Sequence, residues 1–289
     1  MSEPMTRRAA AGLISSAGAS LLIAPTMTAS GTSSPITRAI PETGEMLPVV
    51  GLGTWQTFDV DDSNDHAPLR EVLRRFVQLG GKVIDSSPMY GRAEKVIGDL
   101  TSELHLRDSL FLATKVWTTG KQTGIDSMER SFARLRVKRL DLMQAHNLVD
   151  LETQLATMRA WKEQGRIRYL GITHYVDSAF PEVERILQRE KLDFLQINYS
   201  ISDRAADEHL LPLARDRGVA VLINRPFARG DLFARVRAKP LPDWAAEFDC
   251  KSWAQFFLKW IIANPAVTCA IPATAKLHHL EDNLGAARG

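Results

Sequence analysis

An alternation restricts the fold of this chain more than any other feature. From residue 48 onward, eight short apolar runs alternate with longer amphipathic stretches. The runs cover residues 49–52, 82–85, 110–115, 141–146, 168–173, 194–198, 219–224 and 267–271. Strands buried on both faces of a parallel sheet read this way. Between them, Leu69, Val72, Leu73, Phe76, Val77 and Leu79 recur at the three- and four-residue steps of a helix face. Leu151, Leu155, Met158 and Trp161 do the same, with Asp150 as the expected N-cap and Gly165 as the expected stop. Gly80-Gly81, Gly165 and Gly218 each separate a helical stretch from the next strand.

Eight such units in about 240 residues predict an α/β fold of the (β/α)8 TIM-barrel type, whose usual size is about 250 residues. An open doubly wound sheet would want Gly-x-Gly-x-x-Gly after its first strand. Here Gly51-Leu52-Gly53-Thr54-Trp55 lacks the third glycine, and there is no Walker loop. No linker divides residues 48–289, so residues 36–289 read as one barrel domain. Residues 36–48, with Pro41, Thr43-Gly44 and Pro48, are expected to form a small hairpin across the barrel bottom.

Residues 1–35 read as a leader and linker. Thr6-Arg7-Arg8 precedes an uncharged run from Ala9 to Ala24, then Pro25 and a small, polar exit. This is the layout of a secretory signal. The paired arginines resemble a twin-arginine signal, which makes the export machinery an expected partner and the periplasm or the exterior the expected location. A cytoplasmic extension is the alternative. The run is too short and polar to span a membrane, which takes about 20 apolar residues, so no stable anchor is expected. The 289-residue chain carries 36 Lys+Arg against 34 Asp+Glu, and removing Arg7, Arg8, Arg38 and Glu3 leaves 33 of each. A neutral body argues against nucleic acid as a partner. With only Cys250 and Cys269 and no ligand cluster, no metal site is expected, and the two cysteines read as independent.

In such barrels the reactive groups stand at the C-terminal ends of strands. Those ends hold Asp85, Lys115, His146, Thr173, Gln196 and Asn224, with Tyr90 in the loop after the second run. The stretch Val83-Ile84-Asp85-Ser86-Ser87-Pro88-Met89-Tyr90-Gly91 is followed by Glu94 and Gly98. Then come Ala113-Thr114-Lys115, Met143-Gln144-Ala145-His146-Asn147, Leu170-Gly171-Ile172-Thr173, Leu195-Gln196-Ile197-Asn198-Tyr199 and Ile271-Pro272. In these motifs and their order the chain resembles the aldo-keto reductase family over nearly all of residues 36–289.

The resemblance implies a catalytic tetrad of Asp85, Tyr90, Lys115 and His146 and a nicotinamide dinucleotide, NADP or NAD, lying across the barrel mouth. Carbonyl reduction needs a hydride at carbon and a proton at oxygen. A phenol with a pKa of about 10 is a poor donor at neutral pH. The Lys115 ammonium, oriented by Asp85, is expected to lower it, and His146 to donate a hydrogen bond to the substrate oxygen. Cofactor contacts are implied for Thr54, Thr173, His174, Gln196, Asn224, Arg225, Phe227, Thr274 and Asn283, with Asp282 beside them. Trp55, Met89 and Trp117 are expected to wall an apolar cleft for a small aldehyde or ketone. Arg225 and Arg229 are candidates for the pyrophosphate.

The chain departs from the family pattern in three places. Thr173-His174 stands where Ser-Asn is usual. Asn224 stands where many members stack a tyrosine on the nicotinamide. Ala273 and His279 stand where members that prefer NADP place cations, which leaves a slight lean to NADP on family frequency, with Lys276 as a possible substitute. A catalytically silent barrel that binds or senses a ligand is the competing reading. The stripe Trp253, Phe256, Phe257 and Trp260 is expected to be helix core.

Overall fold

The computed structural model describes residues 34–61 and 66–289. The expected signal and its cleavage region, residues 1–33, lie outside the described residues.

Each predicted run becomes a strand and each amphipathic stretch a helix. A hairpin opens the fold, β1 (Thr37–Ala39) antiparallel to β2 (Met46–Pro48), with Thr37 opposite Pro48. The strands that follow are β3 (Leu52–Gly53), β4 (Val83–Asp85), β5 (Phe111–Val116), β6 (Leu140–His146), β7 (Ile167–Thr173), β8 (Phe194–Asn198), β9 (Ala220–Asn224) and β10 (Cys269–Ala270). The helices between them are α1 (Ala67–Gln78), α2 (Ala93–Glu103), α3 (Lys121–Leu135), α4 (Leu151–Glu163), α5 (Phe180–Arg189), α6 (Leu210–Asp216), then α7 (Asp231–Val236) and α8 (Trp253–Ile262) after β9, and α9 (Leu277–Gly285) after β10. The eight strands pair in chain order, all parallel. Single parallel bridges from Val50 to Ala270 and from Gly53 to Ala273 close the sheet into a barrel. The expected strands at 49–52 and 267–271 shrink to two residues each, because closure runs through these bridges instead of a full ladder. Gly53 permits the approach: a Cβ there would stand 2.7 Å from the Ile271 carbonyl oxygen.

The period of two along each strand sorts side chains into two layers. Val83, Phe111, Ala113, Leu142, Tyr169, Phe194, Ala220, Leu222, Cys269 and Ile271 fill the barrel interior, and Ile40 and Leu47 of the hairpin join them. The intervening residues, such as Ile84, Leu112, Met143, Leu170 and Leu195, belong to the outer core with Val72, Phe76, Ile97, Leu155 and Ile186 of the helices. The hairpin is pinned by Arg38, whose guanidinium donates to the carbonyls of Ile262, Asn264 and Val267. Gly98 lets α2 press on α3, since a Cβ there would lie 2.0 Å from the Arg134 carbonyl oxygen.

Two local expectations change. Asp150 stands at the N-cap position of α4, as expected, but its side chain makes no capping bond there. Its φ is 46°, and its carboxylate accepts the Gly120 N–H at 2.7 Å, at the start of α3. In the aromatic stripe only Phe257 is buried; Trp253, Phe256 and Trp260 are half-buried. They are partly covered by ring contacts such as Trp244 on Phe256 at 5.5 Å. The Asp282 carboxylate accepts from Ser252 Oγ at 2.7 Å and Gln255 Nε2 at 2.9 Å and so holds α9 to the start of α8. Cys250 and Cys269 are both buried and unpaired. Among the described residues, no helix is long and apolar enough to cross a membrane.

Candidate active site

The inward parity that buries apolar groups lower in the barrel continues to the strand ends, where it meets polar residues. Asp85 pairs beside Ala113, Lys115 beside Gln144, His146 beside Thr173, and Thr173 beside Gln196. Lys115 is completely buried. Its ammonium donates to Asp85 Oδ2 at 2.6 Å and to the Ser86 carbonyl at 2.7 Å. The other carboxylate oxygen, Oδ1, accepts from Gln196 Nε2 at 2.8 Å and Gln144 Nε2 at 3.2 Å. A buried ion pair is stable only when its remaining donors and acceptors are met, and these amides meet them. Thr54 Oγ1 donates to the Asp85 carbonyl at 3.0 Å and lies 3.1 Å from Ser86 Oγ.

The turn after β4 brings Tyr90 over this pair, its N–H donating to the Ser87 carbonyl at 3.0 Å. The Lys115 ammonium lies 5.1 Å from the centre of the Tyr90 ring. His146 is buried, and its Nδ1 has no protein partner. Its ring centre stands 6.4 Å from that of Tyr175. Thr173 Oγ1 donates to Gln196 Oε1 at 3.2 Å, and Asn224 Nδ2 to the His174 carbonyl at 3.2 Å. The tetrad and Thr54, Thr173, His174, Gln196 and Asn224 therefore form one contiguous polar end of the barrel.

A family model described as the aldo/keto reductase family matches residues 49–288. The chain belongs to the aldo/keto reductase family. It is 30% identical over 244 residues to methylglyoxal reductase YeaE of Escherichia coli, covering 82% of this chain and 84% of that one. A crystal structure of an aldo-keto reductase from Klebsiella pneumoniae in complex with NADPH superposes with a TM-score of 0.71 at 28% identity, over 88% of this chain and 89% of its own. The thermostable aldo-keto reductase Tm1743, solved with the inhibitor epalrestat, gives a TM-score of 0.73 at 28% identity, over 87% and 93%.

Electrostatics in this aldo/keto reductase corrects one expectation. The Tyr90 hydroxyl sits above, not below, the ordinary phenol pKa. Burial is the largest influence and raises it; Lys115 pulls it down by charge and hydrogen bonding, Asp85 pushes it up, and Arg225 pulls it down. The physical reason is first the burial of the phenol, and then that the pull of the ammonium is partly offset by the Asp85 carboxylate 2.6 Å from it. Lys115 stays protonated. Burial lowers its pKa, but Asp85 and then Tyr90 outweigh that and leave it above the usual lysine value. His146 is driven down to about 3 by burial first, then by the charges of Lys115 and His174. It is a neutral imidazole at neutral pH.

The remaining expected residues are placed unevenly. Trp55, Met89 and Trp117 follow β3, β4 and β5 and are exposed by 41%, 39% and 47%. Arg225 donates to the Tyr175 carbonyl at 3.1 Å and stacks on the Tyr175 ring at 4.2 Å. Phe227 packs on Phe233 with ring centres 4.9 Å apart. Thr274 Oγ1 accepts the Lys276 N–H at 3.0 Å in the loop before α9, and Asn283 is buried on that helix. Among the described residues no hydrogen bond joins Thr274 or Asn283 to the tetrad. The sequence reading missed three site residues, Ser86, Gln144 and Tyr175. Gln144 carried a signal, since it lies two residues before His146 and so shares its face.

The site's own features fit a nicotinamide dinucleotide. Asn224 Oδ1 and His146 Nδ1 are buried acceptors or donors without partners, as a carboxamide and a carbonyl substrate would need. After Asn224 the backbone takes positive φ at Arg225, Ala228, Arg229 and Gly230 (51°, 48°, 60° and 101°). Turns of this kind present N–H groups to anionic oxygens.

Proposed function

We propose that this protein is an NADP(H)-dependent reductase of small aldehydes or ketones, with Tyr90 as the proton donor. Thr173, His174, Gln196 and Asn224 would hold the nicotinamide, which when bound would supply the hydride to the carbonyl carbon. Thr54, Arg225, Phe227, Thr274 and Asn283 are the residues assigned to the rest of the dinucleotide. NADP is favoured over NAD because the Klebsiella relative is an NADPH complex.

The wholly buried Lys115–Asp85 pair beneath Tyr90 carries this reading. A carbonyl oxygen gains negative charge as its carbon is reduced, and the Tyr90 hydroxyl gives it a proton. Phenolate character then appears on Tyr90, and the fixed ammonium stabilises it at that moment more than in the resting enzyme. Binding that strengthens along the reaction is what accelerates it. The upward pKa of resting Tyr90 agrees with this, because a phenol must stay protonated to donate. Asp85 keeps Lys115 charged and aimed. His146, neutral with a pKa near 3, offers its one N–H to the same substrate oxygen and gives up no proton of its own. Tyr90→Phe is expected to lower kcat roughly 10²–10⁴-fold, the usual share of a general acid, while NADPH affinity by fluorescence stays within about threefold. Undiminished turnover across a carbonyl panel would sink the assignment.

We also propose that residues 1–35 are an export signal and that the reductase works in the periplasm. A folded protein that carries its dinucleotide with it would keep a hydride carrier where free nicotinamide is scarce. Intact-mass measurement on protein from a periplasmic fraction is expected to show cleavage between Ala24 and Ser34 and a retained dinucleotide. Recovery of full-length chain from the cytoplasmic fraction alone would refute export.

A further inference from the structure

Trp117 stands two residues beyond Lys115, so it continues the inward side of β5 past that strand's last residue, Val116. Among the described residues, five of the six tryptophans meet a second ring or a guanidinium. Trp55 meets Arg229, Trp161 meets Phe132, Trp244 and Trp253 meet Phe256, and Trp260 meets Tyr199. Trp117 meets neither, and it is exposed. A large apolar ring left uncovered beside the buried Lys115 ammonium has a face to offer to a bound molecule.

The loop that follows Trp117 is held more tightly than a surface connection needs, since such loops are ordinarily mobile. Each carbonyl of Thr118, Thr119 and Gly120 accepts a side-chain hydrogen bond. Thr118 takes Gln154 Nε2 at 3.1 Å, and Thr119 takes Thr123 Oγ1. Gly120 takes Thr123 Oγ1 at 3.0 Å and Gln154 Nε2 at 3.4 Å. The Gly120 N–H goes to the Asp150 carboxylate at 2.7 Å. Two of these groups reach across from another unit of the barrel: Gln154 is fully buried on α4, and Asp150 directly precedes that helix. A Cβ on Gly124 would lie 2.1 Å from Gln154 Oε1, so the glycine of α3 admits the amide. Asp150 ends a turn that begins at His146, and Asn147, Leu148 and Asp150 all hold left-handed backbone, φ 53°, 60° and 46°. Strained backbone of this kind persists where neighbouring contacts over-determine it. The Asp150–Gly120 bond ties the turn after His146 to the loop after Lys115.

We infer that Asp150 and Gln154 are positioning residues that set substrate preference: by fixing residues 118–120 they hold the Trp117 indole as a rigid wall for the flat apolar part of an aromatic carbonyl substrate. This deepens the reductase reading and rests on it. The gain is pre-organisation. A ring that stacks on an indole already in place pays less ordering entropy than one that must first settle a mobile loop. The two residues therefore act on KM for aromatic substrates, apart from proton and hydride transfer.

The test measures kcat and KM with NADPH for 4-nitrobenzaldehyde and butanal in wild type, Trp117→Ala, Asp150→Asn, Asp150→Gly, Gln154→Leu and the double variant Trp117→Ala with Asp150→Gly. Asparagine keeps an acceptor for Gly120 and tolerates left-handed backbone. Glycine relieves the backbone but removes the acceptor, so it separates the tie from the strain. The aromatic-to-aliphatic ratio of kcat/KM is expected to fall roughly tenfold in Trp117→Ala and about fivefold in Asp150→Gly and Gln154→Leu, chiefly through KM, and to stay within about twofold of wild type in Asp150→Asn. The double variant is expected to match Trp117→Ala alone, because two residues that act through one contact are not additive. A wild-type ratio in both Asp150→Gly and Gln154→Leu overturns the inference. So does a further fivefold fall in the double variant, which would place the action of Asp150 elsewhere than at Trp117. Turnover of both aldehydes with either of those results leaves the reductase reading standing, whereas turnover of neither by wild type sinks that reading and the inference with it.

Discussion

The two ends of this barrel are both built from buried charge, and they use it oppositely. At the N-terminal end, Asp141 accepts the Leu112 N–H at 2.9 Å, Arg107 at 3.0 Å and Arg168 at 2.9 Å, and Arg168 reaches on to Glu45. Asp193 accepts the Leu170 N–H at 2.8 Å and takes Lys162 on both oxygens at 2.7 Å. Each of these carboxylates ties a strand's backbone to a cation that still touches water. At the C-terminal end, the cation is the fully buried Lys115, its partner Asp85 is held by side-chain amides, and His146 Nδ1 and Asn224 Oδ1 lack partners. The first arrangement closes a network and fixes strands. The second leaves a charge with nowhere to relax and open valences around it. That inability to relax is what a reaction can use.

Matched substitutions separate the two ends most sharply. Asp85→Asn removes the carboxylate paired with a wholly buried ammonium, so it is expected to cost about 3–5 kcal/mol of stability and to lower turnover by roughly 10³-fold. Asp141→Asn keeps an acceptor for Leu112 and leaves its arginines in contact with water, so about 1–2 kcal/mol is expected, with kcat/KM unchanged. Urea denaturation and steady-state kinetics on both variants decide it. Equal losses of activity would show that the two networks differ in nothing that matters to catalysis.

The fold was legible because it obeys a period, whereas the tetrad was implied by the resemblance that the strand-end motifs carry. Alternating apolar runs implied strands, and the parity that buries Leu142 carries Gln144 and His146 to the same face. The hairpin was legible from Pro41, Gly44 and Pro48. What failed was whatever depends on a partner far along the chain. Asp150 reads locally as a cap, yet its carboxylate answers Gly120 across a loop. The direction of the Tyr90 shift needed both the burial of the phenol and the 2.6 Å neutralisation of Lys115, and a one-dimensional pattern gives neither distance. Tyr175 gave no warning, since its role as a platform for Arg225 comes from a loop after another strand.

The smaller contrast between the ends lies in their response to acid. The folded pKa of His146 is about 3, below its ordinary 6.5. Between those values the unfolded chain binds a proton that the native state refuses, so the C-terminal end loses stability as pH falls below 6.5, by up to about 1.4 kcal/mol per unit. Asp193 behaves in reverse. Burial and the hydrogen bond that protonated Asp193 donates to Glu42 raise it to about 6, so its native form holds a proton that the unfolded chain has released, and its contribution declines as pH rises toward 6. Glu42, lowered chiefly by its bond to Asp193, opposes this only near and below its ordinary value of 4.5. Urea midpoints between pH 7.5 and 5 are therefore expected to fall less steeply in His146→Asn than in wild type, by about 2 kcal/mol over the range, and more steeply in Asp193→Asn. Parallel slopes in all three proteins would mean that neither group changes its proton affinity on folding, and the electrostatic distinction between the ends would fail.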